Sequence, residues 1–255
     1  MAARTVGLLH PGEMGAAVGA ALRERGLRVS WASEGRSAET RERAEAAGLE
    51  DAGSAAELAG SDVLLSVCPP HAALEVARSV GPFKGLYLEA NAVAPATARG
   101  VAEIVRAAGG ELVDGGIVGS PPGDDGTTRL YLSGAHAVSI VELFAGSIVE
   151  ARVVSDEVGA ASALKMAYAG WTKGTAALLL AIRELARTEG VEEALLEEWD
   201  FSLPELRDRY RRAVRSADAK GWRWVGEMEE IAATFEAAGL PDGFHRAAAE
   251  VYRDR

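Results

Sequence analysis

The rhythm of apolar and polar positions changes once along this chain, near residue 155. Before it, short apolar runs recur at Thr5–Leu9, Leu27–Ala32, Asp62–Val67, Gly85–Glu89, Glu111–Asp114, Thr128–Leu132 and Ala151–Val154, and each predicts a strand. Between them, Ala16–Arg25, Ala38–Ala47, His71–Ser79, Pro95–Ala108 and His136–Phe144 predict helices. The run Asp62–Val67 (DVLLSV) is almost continuously apolar, as a strand covered on both faces of a parallel sheet must be. Strands alternating with helices predict an α/β domain over residues 1–155, with a doubly wound, mostly parallel sheet.

After Asp156 the strand signals stop. Helices are predicted at Val191–Trp199, Pro204–Arg215, Gly221–Ala238 and Pro241–Tyr252, so residues 156–255 read as an all-α domain. Two of these helices carry clear apolar stripes, Met228–Ile231–Ala232–Phe235 and Phe244–Ala247–Ala248–Val251. The domain hangs on a longer helix predicted from Glu157 to Glu189. There Ala163, Met166, Ala167, Gly170, Ala177, Leu178 and Ala181 recur mostly at spacings of three, four and seven. At ~1.5 Å per residue it is a rod of roughly 50 Å, longer than a small domain needs. Leu178 to Leu180, Ile182 and Leu185 put apolar side chains on several of its faces, which implies a homodimer.

Composition narrows the partners. The chain has 255 residues and a formal net charge of −11, which argues against nucleic acid and against an anionic membrane surface. Cys68 is the single cysteine, so no intrachain disulfide is possible and a cytoplasmic location is expected. The N-terminal stretch MAARTVGLLHPGEMG lacks a signal-peptide layout, and the apolar run Ala176–Ile182 is too short to span a bilayer.

Candidate chemistry begins at the first strand-to-helix turn. Strand, glycine turn and helix form the layout of a dinucleotide-binding unit, with the pyrophosphate at the helix N-terminus. The fingerprint G-x-G-x-x-G appears as His10-Pro11-Gly12-Glu13-Met14-Gly15, with His10 in place of the first glycine. Pro11, Gly12, Glu13 and Met14 are therefore cofactor-binding candidates. An ordinary strand-helix turn uses two such glycines about as often. An acid about 20 residues further on would bind a ribose 2′-hydroxyl, and an arginine a 2′-phosphate. The second strand ends in Ser33-Glu34-Gly35-Arg36-Ser37. Ser33, Arg36 and Ser37 favour NADP, while Glu34 keeps NAD open. Ligands of such sheets lie beyond the carboxyl ends of the strands, which adds Cys68, Pro69 and Asn91. In the long helix, Lys165 is one of only four lysines and sits among Ala, Leu, Met and Tyr. A desolvated lysine can give up its proton, so it is a candidate acid or base; the plain alternative is a lysine that snorkels to solvent.

Five segments in one order resemble the β-hydroxyacid dehydrogenase superfamily, which includes 3-hydroxyisobutyrate and 6-phosphogluconate dehydrogenases and has imine reductases as relatives. HPGEMG is similar to the family's G-L-G-x-M-G turn. VCPP is similar to its strand-end cofactor segment, and EANAVAP to D-x-S-T-V-x-P, with Asn91 where serine is usual. LVDGGIVGS resembles D-A-P-V-S-G-G, with Asp114 and Gly119 matching, Gly116 for proline and Val118 for serine. GAASALKMAYA resembles G-x-G-x-x-x-K-x-x-x-N, with Gly159 and Lys165 matching. The resemblance implies a Rossmann domain followed by an all-helical substrate and dimerisation domain, and an NAD(P)-dependent oxidoreductase in which Lys165 is catalytic. It makes Gly116, Val118, Gly119, Ala169, Thr172 and Glu227 substrate-side candidates, with Trp222, Trp224 and Glu227 able to close a partner's site. It implies a small-molecule substrate and no metal. Ala169 stands where the family has asparagine, and GWRWVGEMEEIA has Gly226-Glu227 where hydroxyisobutyrate dehydrogenases carry a Lys-Asp pair. These departures leave open a C=N reductase, or a nucleotide-binding sensor that has lost turnover.

Overall fold

The computed structural model describes residues 4–123 and 128–253. The chain divides into two compact units, one ending at Lys165 and the other beginning at Met166.

The first unit is built on an eight-stranded sheet. Its strands are β1 (Thr5–Leu8), β2 (Arg28–Ala32), β3 (Glu50–Gly53), β4 (Val63–Ser66), β5 (Leu86–Glu89), β6 (Glu111–Val118), β7 (Arg129–Ser133) and β8 (Glu150–Ser155). They lie in the order β3-β2-β1-β4-β5-β6-β7-β8. All neighbours are parallel except β6 and β7. The order reverses beside β1, between β1 and β4, the place where such a sheet opens a crevice for ligands.

Side-chain alternation builds the two faces. Val63 and Leu65 join Leu8, Leu88 and Val113 on one side, packed against α1 (Glu13–Glu24) and α5 (Ala137–Phe144) through Val18, Leu22, Ile140 and Phe144. Leu64, between them, turns to the other side with Tyr87 and Leu112. These residues pack against α3 (Ala73–Ser79) and α4 (Pro95–Ala107) through Ala77, Val101 and Val105. Helix α2 (Ala38–Ala46) begins at Ser37, whose hydroxyl accepts from the Thr40 amide.

Two elements differ from the sequence expectation in this unit. Strand β3 (EDAG) is polar and sits at a sheet edge, so it lacks the apolar run that marks a buried strand. Strand β6 runs to Val118, not Asp114, because Gly115 and Gly116 continue it. A Cβ at Gly115 would lie 2.9 Å from the Glu89 carbonyl oxygen, so only glycine lets the sheet close there.

The division between the units falls inside α6 (Ala160–Thr188). The second unit holds the rest of α6 with α7 (Glu192–Ser202), α8 (Leu206–Ala237) and α9 (Gly243–Arg253). The two helices expected over 204–238 are the single helix α8. Gly221 is buried in it, with Tyr252 of α9 3.9 Å from where its Cβ would stand, so the glycine serves close packing and does not break the helix. Gly170 and Gly174 of α6 make room for His245 of α9, whose ring atoms lie 3.4 and 3.7 Å from their would-be β-carbons. His245 is buried and stacks at a tilt on Phe235, centroids 4.3 Å apart. No helix among the described residues is long and apolar enough to cross a membrane.

Candidate functional site

The carboxyl ends of β1, β2, β4, β5 and β6 bring together most of the residues singled out from the sequence. At the end of β1 the chain turns through His10 and Pro11 into α1. Gly12 is the N-cap, and no side chain caps the helix. A Cβ on Gly15 would stand 2.4 Å from the His10 carbonyl oxygen, so the turn itself requires this glycine. A Cβ on Gly12 would meet only the His10 ring, at 3.5 Å. The bare backbone at Gly12 and the uncapped first turn through Glu13 and Met14 form a place for an anion, because helix N-termini carry partial positive charge. These residues fit a dinucleotide pyrophosphate.

The end of β2 holds the residues singled out as candidate ribose selectors. Ser33 is buried, and its carbonyl accepts from Arg41, 2.8 Å away. Its side chain bonds to Asp51, which holds that exposed carboxyl below its ordinary value. Ser37 is committed to capping α2. Arg36 folds back onto the glycine turn: its Nη1 is 2.6 Å from His10 Nδ1, and its Nη2 donates to the Leu9 carbonyl at 3.0 Å. Glu34 is exposed, and its backbone amide donates to Gly53 at the end of β3.

At the ends of β4 and β5, Cys68 and Asn91 are buried and tied together. The Asn91 side-chain oxygen accepts from the Cys68 amide at 2.5 Å, and its nitrogen donates to Ser66 Oγ at 3.1 Å. The Asn91 amide donates to the fully buried Glu89 carboxylate. Asn91 thus braces the two strand ends and fixes the course of Cys68-Pro69. Burial, seconded by the charge of Glu89, pushes the Cys68 thiol up to about 12.

The end of β6 meets the start of α6. Asp114 is completely buried and accepts four hydrogen bonds. Its Oδ2 takes the amides of Gly159 and Ser162, at 2.9 and 3.0 Å, and the Ser133 hydroxyl at 2.9 Å; its Oδ1 takes the Ser162 hydroxyl at 2.5 Å. Ser133 Oγ in turn accepts the Ala161 amide. One carboxylate and one hydroxyl therefore satisfy the orphan donors of the helix start, with negative charge at the positive end of its dipole. Gly159 reaches this geometry with φ of +104°. Lys165 follows on the second turn, half-buried, and donates from Nζ to the Ile117 carbonyl at 2.7 Å. Gly116 allows the approach: its Cβ would stand 2.8 Å from the Ala161 carbonyl oxygen and 3.0 Å from Lys165 Cβ. Val118 is buried beside it, and Gly119 is exposed with φ of +115°.

Three substrate-side candidates belong to the second unit. Ala169 is buried there. Thr172 spends its hydroxyl on the Tyr168 carbonyl one turn back. Glu227 forms a largely buried ion pair with Lys173, over which Trp224 lies 5.8 Å from the lysine nitrogen. The carboxylate of the late helix thus has a lysine after all, supplied by α6 and not by its own helix. Sequence reasoning missed the capping part of Asp114, the His10–Arg36 contact and Arg41. The first two link residues far apart in the chain; Arg41 lies eight residues after Ser33 and was legible only as a helix charge. Among the described residues no three or more His, Cys, Asp or Glu side chains come together in a group that could hold a metal ion.

A sequence family described as a domain of unknown function, DUF1932, matches residues 186–254. A curated relative, an uncharacterized 28.5 kDa protein in the 7S RNA 5′ region of Methanothermus fervidus, is 29% identical over 75% of this chain and 74% of its own. The conserved protein MTH1747, described as of unknown function with structural similarity to 3-hydroxyacid dehydrogenases, superposes with a TM-score of 0.71. It is 27% identical and covers 98% of this chain and 96% of its own. The chain is thus similar, in sequence and over nearly its whole length in fold, to a protein of 3-hydroxyacid dehydrogenase-like structure. The fold is also that of 3-hydroxyisobutyrate dehydrogenase from Salmonella typhimurium, at TM-score 0.75 and 18% identity over 98% of this chain and 93% of that one. Within the superfamily's architecture, the Rossmann sheet and the all-helical region after it are both present here.

Proposed function

We propose that this protein is an NAD(P)-dependent oxidoreductase, NADP-preferring, that interconverts a small carbonyl compound and its alcohol with Lys165 as general acid and base. The observation that carries the proposal is the lysine's placement. It stands beside the carboxyl end of β6, oriented by the Ile117 carbonyl, on a helix whose start is pinned by Asp114. Gly12 and the first turn of α1 would hold the pyrophosphate, and Arg36 the 2′-phosphate. When bound, the nicotinamide supplies a hydride to the substrate carbon or takes one from it.

A neutral carbonyl orients an amine in either protonation state, so the Ile117 contact positions Lys165 without fixing its charge. In the reducing direction the lysine gives its proton to the substrate oxygen, closing the new O–H bond as the C–H bond forms. In the oxidising direction it takes that proton back. General acid–base help of this kind is worth about 10²–10⁴ in rate. Lys165→Met is therefore expected to fold, to bind NADPH, and to lose roughly 10²–10⁴ in single-turnover hydride transfer. A variant that transfers hydride at the wild-type rate refutes the assignment.

A second reading is favoured by two apolar replacements. Val118 in the first unit and Ala169 in the second are 2% and 1% exposed, and each stands where the resemblance expects a polar residue; a loss of polar groups suits a less polar C=N substrate. NADPH consumption across carbonyl and imine panels separates the readings, and consumption with neither leaves the nucleotide-binding sensor. The proposal includes a homodimer. Trp171, Leu178 and Leu185 on α6 are each about three-fifths exposed, at 64%, 58% and 62%, and a dimer would cover them. Light scattering that finds a fully active monomer removes this part.

A further inference from the structure

We infer that His10 is a cofactor-specificity residue: it stands in place of the first fingerprint glycine and holds the Arg36 guanidinium at the phosphate turn, ready for a ribose 2′-phosphate. The inference rests on the NADP reading above and deepens it by naming what positions the arginine.

Four observations carry it. The first is that His10 is not a defect in the turn. Among the described residues no non-glycine residue has a positive φ, so His10 sits in an unstrained backbone. The glycine whose side-chain space is truly closed is Gly15.

The second is the clamp. Arg36 reaches back 26 and 27 residues to His10 Nδ1, at 2.6 Å, and to the Leu9 carbonyl, at 3.0 Å. Two contacts from the two ends of one planar fork fix both the position and the tilt of the guanidinium. Because Arg36 can only donate, Nδ1 is the acceptor, and the proton of the neutral ring is on Nε2.

The third is charge. Both acceptors, an imidazole nitrogen and a backbone carbonyl, are neutral. The arginine is therefore oriented by two neutral acceptors. An arginine clamped by aspartate would be as well placed but poorer at attracting a phosphate.

The fourth is an unspent donor. Arg36 Nε is buried and makes no hydrogen bond. Buried donors are satisfied in the great majority of cases, and a donor left over on this guanidinium is one that an incoming acceptor could satisfy. A phosphate monoester supplies several anionic oxygens, and arginine takes such groups through two parallel bonds. Arg36 anchored in advance gives up less side-chain freedom on binding than a loose loop arginine does.

The test is the preference for NADPH over NADH, from fluorescence titrations of the full-length protein with each cofactor. His10→Ala is expected to lower the preference about tenfold, the size of effect that ordering one long side chain carries. His10→Asn, which keeps a short acceptor, is expected to restore most of it. Arg36→Ala is expected to abolish the preference, and in that background His10→Ala is expected to change nothing further. An unchanged preference in His10→Ala, or a raised one that shows the histidine parking Arg36 out of the site, overturns the inference while leaving the NADP reading intact. A wild-type protein without preference, unaltered by Arg36→Ala, sinks the NADP reading itself. Melting curves of each variant confirm that the ratios come from folded protein.

Discussion

Removing the Asp114 carboxylate tests how the helix that carries Lys165 is held. The group is wholly buried and accepts two helix amides and two hydroxyls. In Asp114→Ala the Ser133 and Ser162 hydroxyls can rotate toward other acceptors, but the amides of Gly159 and Ser162 cannot. Each buried amide left without a partner costs about 1–3 kcal/mol. Loss of the favourable charge at the helix start adds about 0.5–1 kcal/mol. A total near 4 kcal/mol is about the most that single substitutions give. At about 2–4 °C per kcal/mol for a chain of this size, melting falls by roughly 10 °C. Asp114→Asn keeps the volume and one acceptor oxygen but turns an amide group toward donors, so its loss is about half as large. The assay is a thermal melt paired with amide exchange. Exchange should quicken first at Gly159, Ala161 and Ser162, and hydride transfer should fall with it because Lys165 stands on the next turn of the same helix. An Asp114→Ala protein that melts within about 2 °C of wild type, with unchanged exchange at those amides, refutes the account of the anchor.

Two further predictions follow from the same structure. Gly116→Ala places a methyl against the Ala161 carbonyl and Lys165 Cβ; helix or strand must move, and we expect turnover to fall by at least tenfold at saturating NADPH, whereas a rate within twofold of wild type shows the gap is slack. Burial holds His245 below its ordinary value, with Asp242 opposing, so the native state binds fewer protons than the unfolded one. The stability this brings is present above the ordinary pKa of about 6.5 and declines as pH falls through the lowered value; His245→Phe should flatten the pH dependence of urea midpoints between pH 7 and 5, and identical slopes would show another group responsible.

The fold was legible where physics is local. Asp62–Val67 reads as a buried strand because its central residues Val63–Ser66 are all covered, and α4 begins at Pro95 because proline suits a first helical turn. Strand β3 was not legible, since Glu50 and Asp51 at an exposed edge obey no core pattern. Gly221 suggested a break in α8 because a sequence does not show that Tyr252 packs over it. Within the candidate site, Lys165 stood out by its rarity and its apolar neighbours. Its supports did not: Asp114 acts across 45 and 48 residues, and Lys173 meets Glu227 across 54. Arg36 was visible as a charge near the cofactor segment, while its hold on His10 depends on where two strand ends meet.

The long reach of Asp114 also separates two events in time as the chain folds. The hydrogen bonds within α6 are local and close within microseconds. Its anchor is not local: Asp114 must first lie in β6, and Ser133 beside it in β7, through the antiparallel register that pairs the two residues. Closing such loops is entropically costly before any contact rewards it. Helical signal therefore returns early in refolding, and the lysine is set against the sheet only when β6 and β7 are paired. Recovery of activity lags recovery of helix, and a chain caught between the two carries all its residues but has no organised centre.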